Sequence, residues 1–511
     1  MIIVPFFMPA TINFRILYAG NSFPAVEVYM VCSKHHRFIL KQKTEKGGIP
    51  VSIAAAYMVP HPPMIVPQVG RGSENQVLKT IQAYEAVASE IAEIKPETII
   101  VTSPHSVLYA DYFHISPGDH ATGDFGSFRA PEVSFRKRYD AELVKALSAI
   151  AKEENFPAGT LGERDKHLDH GTMVPLYFVD RQYTDYSLVR IGLSGLSLAD
   201  HYTFGMMLRK AVEQTGRKAV LIASGDLSHK LQTYGPYGFA KEGPEYDERI
   251  MDVAGRAAFD EMLDFDETFC DKAAECGHRS FVIMAGALDG LAVEAKIYSH
   301  EDITGVGYGI CSFHPTGSDE SRHFLDQYHT AQEEKLRRRR EAEDPFVRLA
   351  RETVESYVLE RTTPEVPDWA TDEMKRQQAG VFVSIHKEGK LRGCIGTFLP
   401  TRENIAREII SNAVSAATRD PRFDPIGPEE LKWLEINVDV LSAPEKISSM
   451  KELDVRRYGV IVSCGSRRGL LLPDLDGVDT VEEQVDIARR KGGIRENEPI
   501  TLERFEVVRH Y

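Results

Sequence analysis

Four histidines stand in short loops rich in Pro, Gly and Asp: His61 in VPHPP, His105 in TSPHS, His170 in LDHGT and His229 in SGDLSH. Imidazole is the commonest side-chain metal ligand. Three of these histidines close, or nearly close, an apolar strand-like run, and the carboxyl ends of strands in open α/β sheets are where ligands bind. Pro60, Pro62 and Pro63 restrict the backbone around His61 and would pre-position its ring. Any one of the four alone reads as structural; four at equivalent positions read as a site. A carboxylate would complete a facial two-histidine, one-carboxylate centre with open positions for substrate and dioxygen. The best candidate is Glu275 in ECGHRSF, although Cys276 and His278 in the same segment are ligand types too. The same donors could also hold zinc and polarise water for hydrolysis. His229, beside Asp226 and Ser228, is the candidate general base, deprotonating a bound phenol and later returning the proton. Asp226 either fixes its tautomer or caps its own turn. His170 would then touch substrate or a developing oxyanion.

The elements that must position these residues alternate. Ile53–Val59 reads as a buried strand, and Ser73 with Gln76 has capping-box spacing. Val77, Ile81, Tyr84, Val87 and Ile91 recur at helical period. Strands follow at 98–101, 188–191 and 219–222, with helices near 143–150 and 204–212. This pattern predicts an α/β domain over 51–315 with a central mixed or parallel sheet flanked by helices. Residues 1–50 mix apolar and basic residues without clear period, and read as an extension, either an arm or the product of an upstream start codon. Over 316–344 a charged linker is expected. Its basic cluster Lys335, Arg337, Arg338, Arg339 and Arg340 follows Glu333 and Glu334 by four residues, the favoured order for helical ion pairs, so a solvated helix is preferred to a nucleic-acid surface.

Residues 345–511 form a second, compact α+β unit. A hairpin is expected from Val381–Ile385 through a turn at 387–390 to Leu391–Phe398. A helix then carries Ile405, Ile409, Ala413 and Ala417 on one face. Ile436, Val438 and Val440 alternate as a half-buried strand, and 460–463 and 470–472 flank another turn. Cys394 lies in the hairpin near Arg392 and Arg402; a nearby cation could make it nucleophilic, whereas a buried Cys behaves as a small hydrophobe. Gly393 and Gly396 suggest a close backbone approach, to a ligand or otherwise. Arg419, Asp420 and Arg422 could line an anion groove or form exposed ion pairs.

Taken in order, VPHPPMIVPQVGRG, TSPHSVLYAD, LDHGTMVPLYF, SGDLSH and ECGHRSF resemble the class III (LigB-type) extradiol ring-cleaving dioxygenases and their Memo-like relatives. The resemblance implies Fe(II) held by His61, His105 and Glu275, with His229 as acid/base and His170 near a small aromatic substrate. Memo-like members carry a Cys in the equivalent segment, corresponding to Cys276, which puts zinc or copper beside iron as alternatives and metal binding beside catalysis. LRGCIGTF, AATRDPRF and GLLLP resemble the AMME-syndrome candidate-region family across nearly all of 345–511. The two halves joined in one chain resemble the AmmeMemoRadiSam system, which implies a radical-SAM protein partner.

Composition bounds the remainder. The 511 residues allow two to four domains at roughly 100–200 residues each, and 42% hydrophobic content is that of a folded chain. With 61 Lys+Arg against 76 Asp+Glu, the net charge of −15 disfavours nucleic acid and anionic membrane as partners. The six cysteines form no CxxC pair and no disulfide framework, so a cytoplasmic setting is expected. The N-terminus has no basic residue before Arg15 and lacks the roughly 20-residue apolar run of a membrane span. Oligomeric assembly is left open.

Overall fold

The computed structural model describes residues 53–164, 166–475 and 477–511; the expected extension over 1–50 lies outside them. In the first domain, six strands form one mixed sheet in the order Ser187–Gly192, Thr98–Ser103, Ala219–Ser224, Ile53–Val59, Tyr308–Ser318, Leu291–Glu301. The first four run parallel and the last two add antiparallel. Parallel strands are buried on both faces and need crossover helices, and the burial shows it: every residue of Thr98–Ser103 and Ala219–Ser224 is buried. Alternate side chains enter opposite cores. Ile100 and Leu221 pack in the layer containing the helices Leu198–Thr215 and His278–Ala287. Ile99, Val101, Val220 and Ile222 pack in the layer containing Leu78–Ile94 and His170–Asp180.

The register decides the site. Val59 pairs with Ser224, and Thr102 pairs with Ala223, so three parallel strands end at one level of one sheet edge. The loops carrying His61, His105 and Asp226–His229 therefore leave the sheet side by side.

Two local expectations change. Ser73 forms no capping box: Ser73–Val77 is a short 3-10 turn with no side-chain cap, and the α-helix begins at Leu78. A hairpin of His120–Phe125 and Ala130–Arg138, absent from the pattern reading, lies between the second strand and the next helix. Its buried positions alternate with exposed ones, a weak signal in a short polar stretch.

Residues after the sheet are not loose. The last strand runs to Ser318, and a helix follows over Phe324–Ala342. Phe324 and Leu325 root this helix in the first-domain core. Glu334 pairs with Arg337 (2.8 Å) and Arg338 (3.0 Å), whereas Glu333 reaches across to Lys432 (2.8 Å). Arg339 pairs with Glu435, and Arg340 donates to the Leu431 carbonyl (2.7 Å). The basic cluster is thus used within the chain.

The second domain has two four-stranded antiparallel sheets, ordered Lys390–Gly396, Gly380–Lys387, Leu434–Leu441, Val507–His510 and Glu445–Ile447, Thr501–Phe505, Gly459–Cys464, Arg467–Leu471. Positive φ at Glu388 and Gly389 makes the tight turn of the expected hairpin. One face of the first sheet packs Val381, Val383 and Ile385 against Ile405–Thr418 and Pro345–Glu360. No described helix is long and apolar enough to cross a membrane.

Candidate metal centre

His61 follows the first strand, and its backbone N–H donates to Asp226 Oδ1 (2.7 Å). Its ring Nδ1 lies 2.9 Å from Ser224 Oγ. The Ser224 hydroxyl donates to the Gly171 carbonyl (2.6 Å), so its oxygen is left to accept, and Nδ1 of His61 carries the proton. Nε2 is then a bare lone pair, and 2.9 Å from it stands Nε2 of His105. One proton on His105 can bridge the two nitrogens; a cation can replace that proton. Cys276 Sγ lies 3.7 Å from His61 Nε2. One ligand atom from each of His61, His105 and Cys276 falls within 4.8 Å of the others. This is the donor set and spacing that a transition-metal ion needs.

Electrostatics keep the imidazoles neutral and ligand-competent. Burial and the neighbouring His61 ring hold His105 down at about 4, and burial and the same neighbour hold His170 at about 4. His61, fully buried, is lowered by the same desolvation. Burial drives the Cys276 thiol well up, a penalty that a bound cation would offset. Asp226 also donates its backbone N–H to Cys276 Sγ (3.3 Å), so one short loop touches both His61 and Cys276.

Glu275 is placed differently from the expectation. Its buried carboxylate accepts the backbone N–H of His278 (2.6 Å), at the start of His278–Ala287, and burial pushes it up to about 7. Unpaired N–H groups at a helix start draw the acid inward, while its neighbour Cys276 turns to the imidazoles. His278 is structural: its ring bonds the Met262 carbonyl (2.9 Å) and the Tyr246 hydroxyl (3.2 Å).

The other two histidines flank the cluster. His170 begins its helix behind the N-cap Asp169, and its ring centroid lies 4.0 Å from that of His105. His229 Nε2 is 3.8 Å from Asp226 Oδ2. Burial works against its charged form, but Asp226, the Ala274 carbonyl and Glu275 outweigh this and raise its pKa. Tyr237 covers its ring at 5.1 Å between centroids. The pattern reading missed Ser224, Asp169 and Tyr237. ASGDLSH and LDHGT held the first two in plain view, yet neither residue type signals ligand support without a partner.

Elsewhere the structure reassigns several expectations. Arg392 is bidentate to Glu430 (both 2.9 Å) and Arg402 bonds Ser411 (3.0 Å), so neither activates Cys394, whose thiol burial instead raises. Asp420 accepts the Cys394 backbone N–H (2.9 Å) and two bonds from the Arg422 guanidinium, a clamp on the strand rather than an anion groove. A Cβ on Gly393 would meet the Ala416 carbonyl at 2.3 Å, and one on Gly396 would meet the Phe382 ring at 2.2 Å. Both glycines serve packing within the domain.

A domain built on a strand-edge histidine pair, joined to a two-sheet α+β domain, defines a family. Residues 55–311 match the family described as catalytic LigB subunit of aromatic ring-opening dioxygenase, and residues 347–510 match the AMMECR1 family. The chain belongs to the LigB family and carries an AMMECR1 domain behind it. A Clostridium acetobutylicum protein is 40% identical over 468 residues, covering 90% of this chain and 99% of that one. A Thermotoga maritima protein is 49% identical over 170 residues, 33% of this chain and 98% of its own length. Among solved structures, an uncharacterized Pyrococcus horikoshii protein aligns over 32% of this chain and 88% of its own, at 31% identity and a TM-score of 0.30.

Proposed function

We propose that the first domain is a mononuclear redox-metal centre in which His61, His105 and Cys276 hold iron or copper, and that it works in metal binding and redox exchange with a partner. One observation carries this reading: among the described residues, a sulfur and not a carboxylate stands within ligand distance of the two imidazoles. Thiolate ligation suits soft or redox-active ions. The metal would supply electron transfer and Lewis acidity. The chain's own residues do the rest. Ser224 fixes the His61 tautomer, Asp226 anchors both the His61 and Cys276 loops, and His229 with Asp226 holds a proton at the mouth. The two-domain architecture supports a radical-SAM protein as that partner, and the second domain as its dock.

Metal content separates ligands. Anaerobically purified Cys276→Ala should lose its iron or copper, and Glu275→Gln should retain it; retention by Cys276→Ala with loss in Glu275→Gln would overturn the assignment. Stoichiometric zinc with neither iron nor copper would instead favour a hydrolase on this scaffold.

A second reading keeps the family's chemistry: an Fe(II) dioxygenase acting on a catecholic or phenolic substrate. The flanking pair His170 and His229 favours it, because one ring can touch substrate while the other moves its proton. Oxygen uptake with a catechol panel after anaerobic iron loading tests it, and no uptake with any catechol removes it.

A further inference from the structure

The second domain carries a cleft that the metal centre does not use. Between its two sheets lies a cavity of about 610 Å³, in the size range of small-molecule sites, roughly 300–1,000 Å³. Strand alternation builds its floor. While Val381, Val383 and Ile385 face the helices, Phe382, Ser384 and His386 face the other way and are half-buried. Register then sets a polar row across three strands: Cys394 pairs with Ser384, and Ser384 with Asn437. The Ser384 hydroxyl donates to Cys394 Sγ (3.2 Å). In the next row Phe382 pairs with Asp439, whose carboxylate takes the Arg509 guanidinium (3.0 Å). The opposite wall is apolar, with Leu470 and Leu472 clustered with Phe382.

Two features point to an occupant. Among the described residues, neither the Asn437 amide nor the His386 imidazole has a hydrogen-bond partner, although both are half-buried and both line this cavity and the adjoining one of about 600 Å³ against the linker helix. Both groups therefore keep donor and acceptor capacity that water or a ligand in the cleft can meet. The charges are also uneven. Asp439 and Arg509 pair with each other, and Lys491 at the rim has no carboxylate partner among the described residues.

We propose that this cleft is a second, metal-independent site for a small organic monoanion with an apolar, ring-sized body. The body lies between Phe382 and the leucine wall, hydrogen-bonding atoms meet Asn437 and His386, and the anion sits at Lys491. This goes beyond the metal-centre reading and stands or falls separately from it.

Fluorescence titration of the full chain with anilinonaphthalene sulfonate, an apolar ring system with one negative charge, tests the site. A saturable rise is expected, at least about tenfold weaker in Lys491→Glu, whose side chain is exposed and whose fold is not at stake. Leu472→Trp, which fills the cleft, should abolish it, with melting temperature checked alongside. Uncharged phenylnaphthylamine should bind at least about tenfold more weakly than the sulfonate, a gap of about 1.4 kcal/mol. His61→Ala should bind the sulfonate like the parent. No saturable rise, equal binding in Lys491→Glu, or equal affinity for the uncharged probe would overturn the proposal.

Discussion

At the scale of single residues, adjacent side chains have opposite fates. Glu275 and Cys276 are both ligand types, and their order in ECGHRSF cannot say which one faces the imidazoles. The helix start at His278 takes the Glu275 carboxylate, and Cys276 lies beside the imidazoles. Ser224 shows the converse, since a plain strand-end serine fixes which nitrogen of His61 carries the proton. Groups that orient a metal-binding imidazole typically change affinity ten- to a hundredfold when removed. Ser224→Ala should therefore weaken metal binding by roughly that factor, measured by chelator competition, while the melting temperature stays within a few degrees. An unchanged affinity would mean that His61 is oriented by packing alone.

At the scale of elements, the four parallel strands and the helices over Leu78–Ile94, Ala141–Glu153, Leu198–Thr215 and Ile405–Thr418 were legible, because buried strands and amphipathic helices carry their period in the residue types. The antiparallel strands Leu291–Glu301 and Tyr308–Ser318 and the helices Glu242–Arg256, Pro345–Glu360 and Val481–Lys491 were not read. Ile53–Val59 and the strands beginning at Thr98 and Ala219 match their apolar runs. Boundaries set by caps were less legible, as Ser73 shows: its spacing is that of a capping box, yet the chain makes a 3-10 turn there. The site also depends on a contact between elements that no period reveals. Gly225, after the third parallel strand, meets Gly277 so closely that a Cβ would stand 2.0 Å from the Gly277 Cα. That approach seats the Cys276 loop against the strand end, where Cys276 N–H reaches the Asp226 carbonyl (3.4 Å). Gly225→Ala should push the two loops apart, costing about 1–3 kcal/mol by overpacking and lowering metal occupancy. Thermal melts and metal analysis of the purified variant check it; full occupancy at parental stability would count against this contact.

At the scale of the whole molecule, the charge of −15 and the basic linker give opposing impressions of nucleic-acid binding. The structure shows where four of the five basic residues go. Arg337 and Arg338 pair within their helix, and Arg339 and Arg340 bind the second domain. A labelled DNA duplex at physiological salt should show no saturable anisotropy change up to about 100 µM protein, the weak end of the range for non-specific sites. The same helix, rooted at Phe324 and Leu325, and the Lys390–Glu267 pair (3.0 Å) hold the two domains in contact.

The sequence by itself determined the two-domain division by family, the element types and the four histidines, because hydrophobic period and residue chemistry are local properties of the chain. Tertiary structure alone decided which of two neighbouring residues joins His61 and His105, which nitrogen is free to bind, and that Cys394, Ser384 and Asn437 stand in one row. Those depend on strand register and on contacts between residues as far as 215 positions apart, and no spacing in a linear chain encodes where distant lone pairs converge.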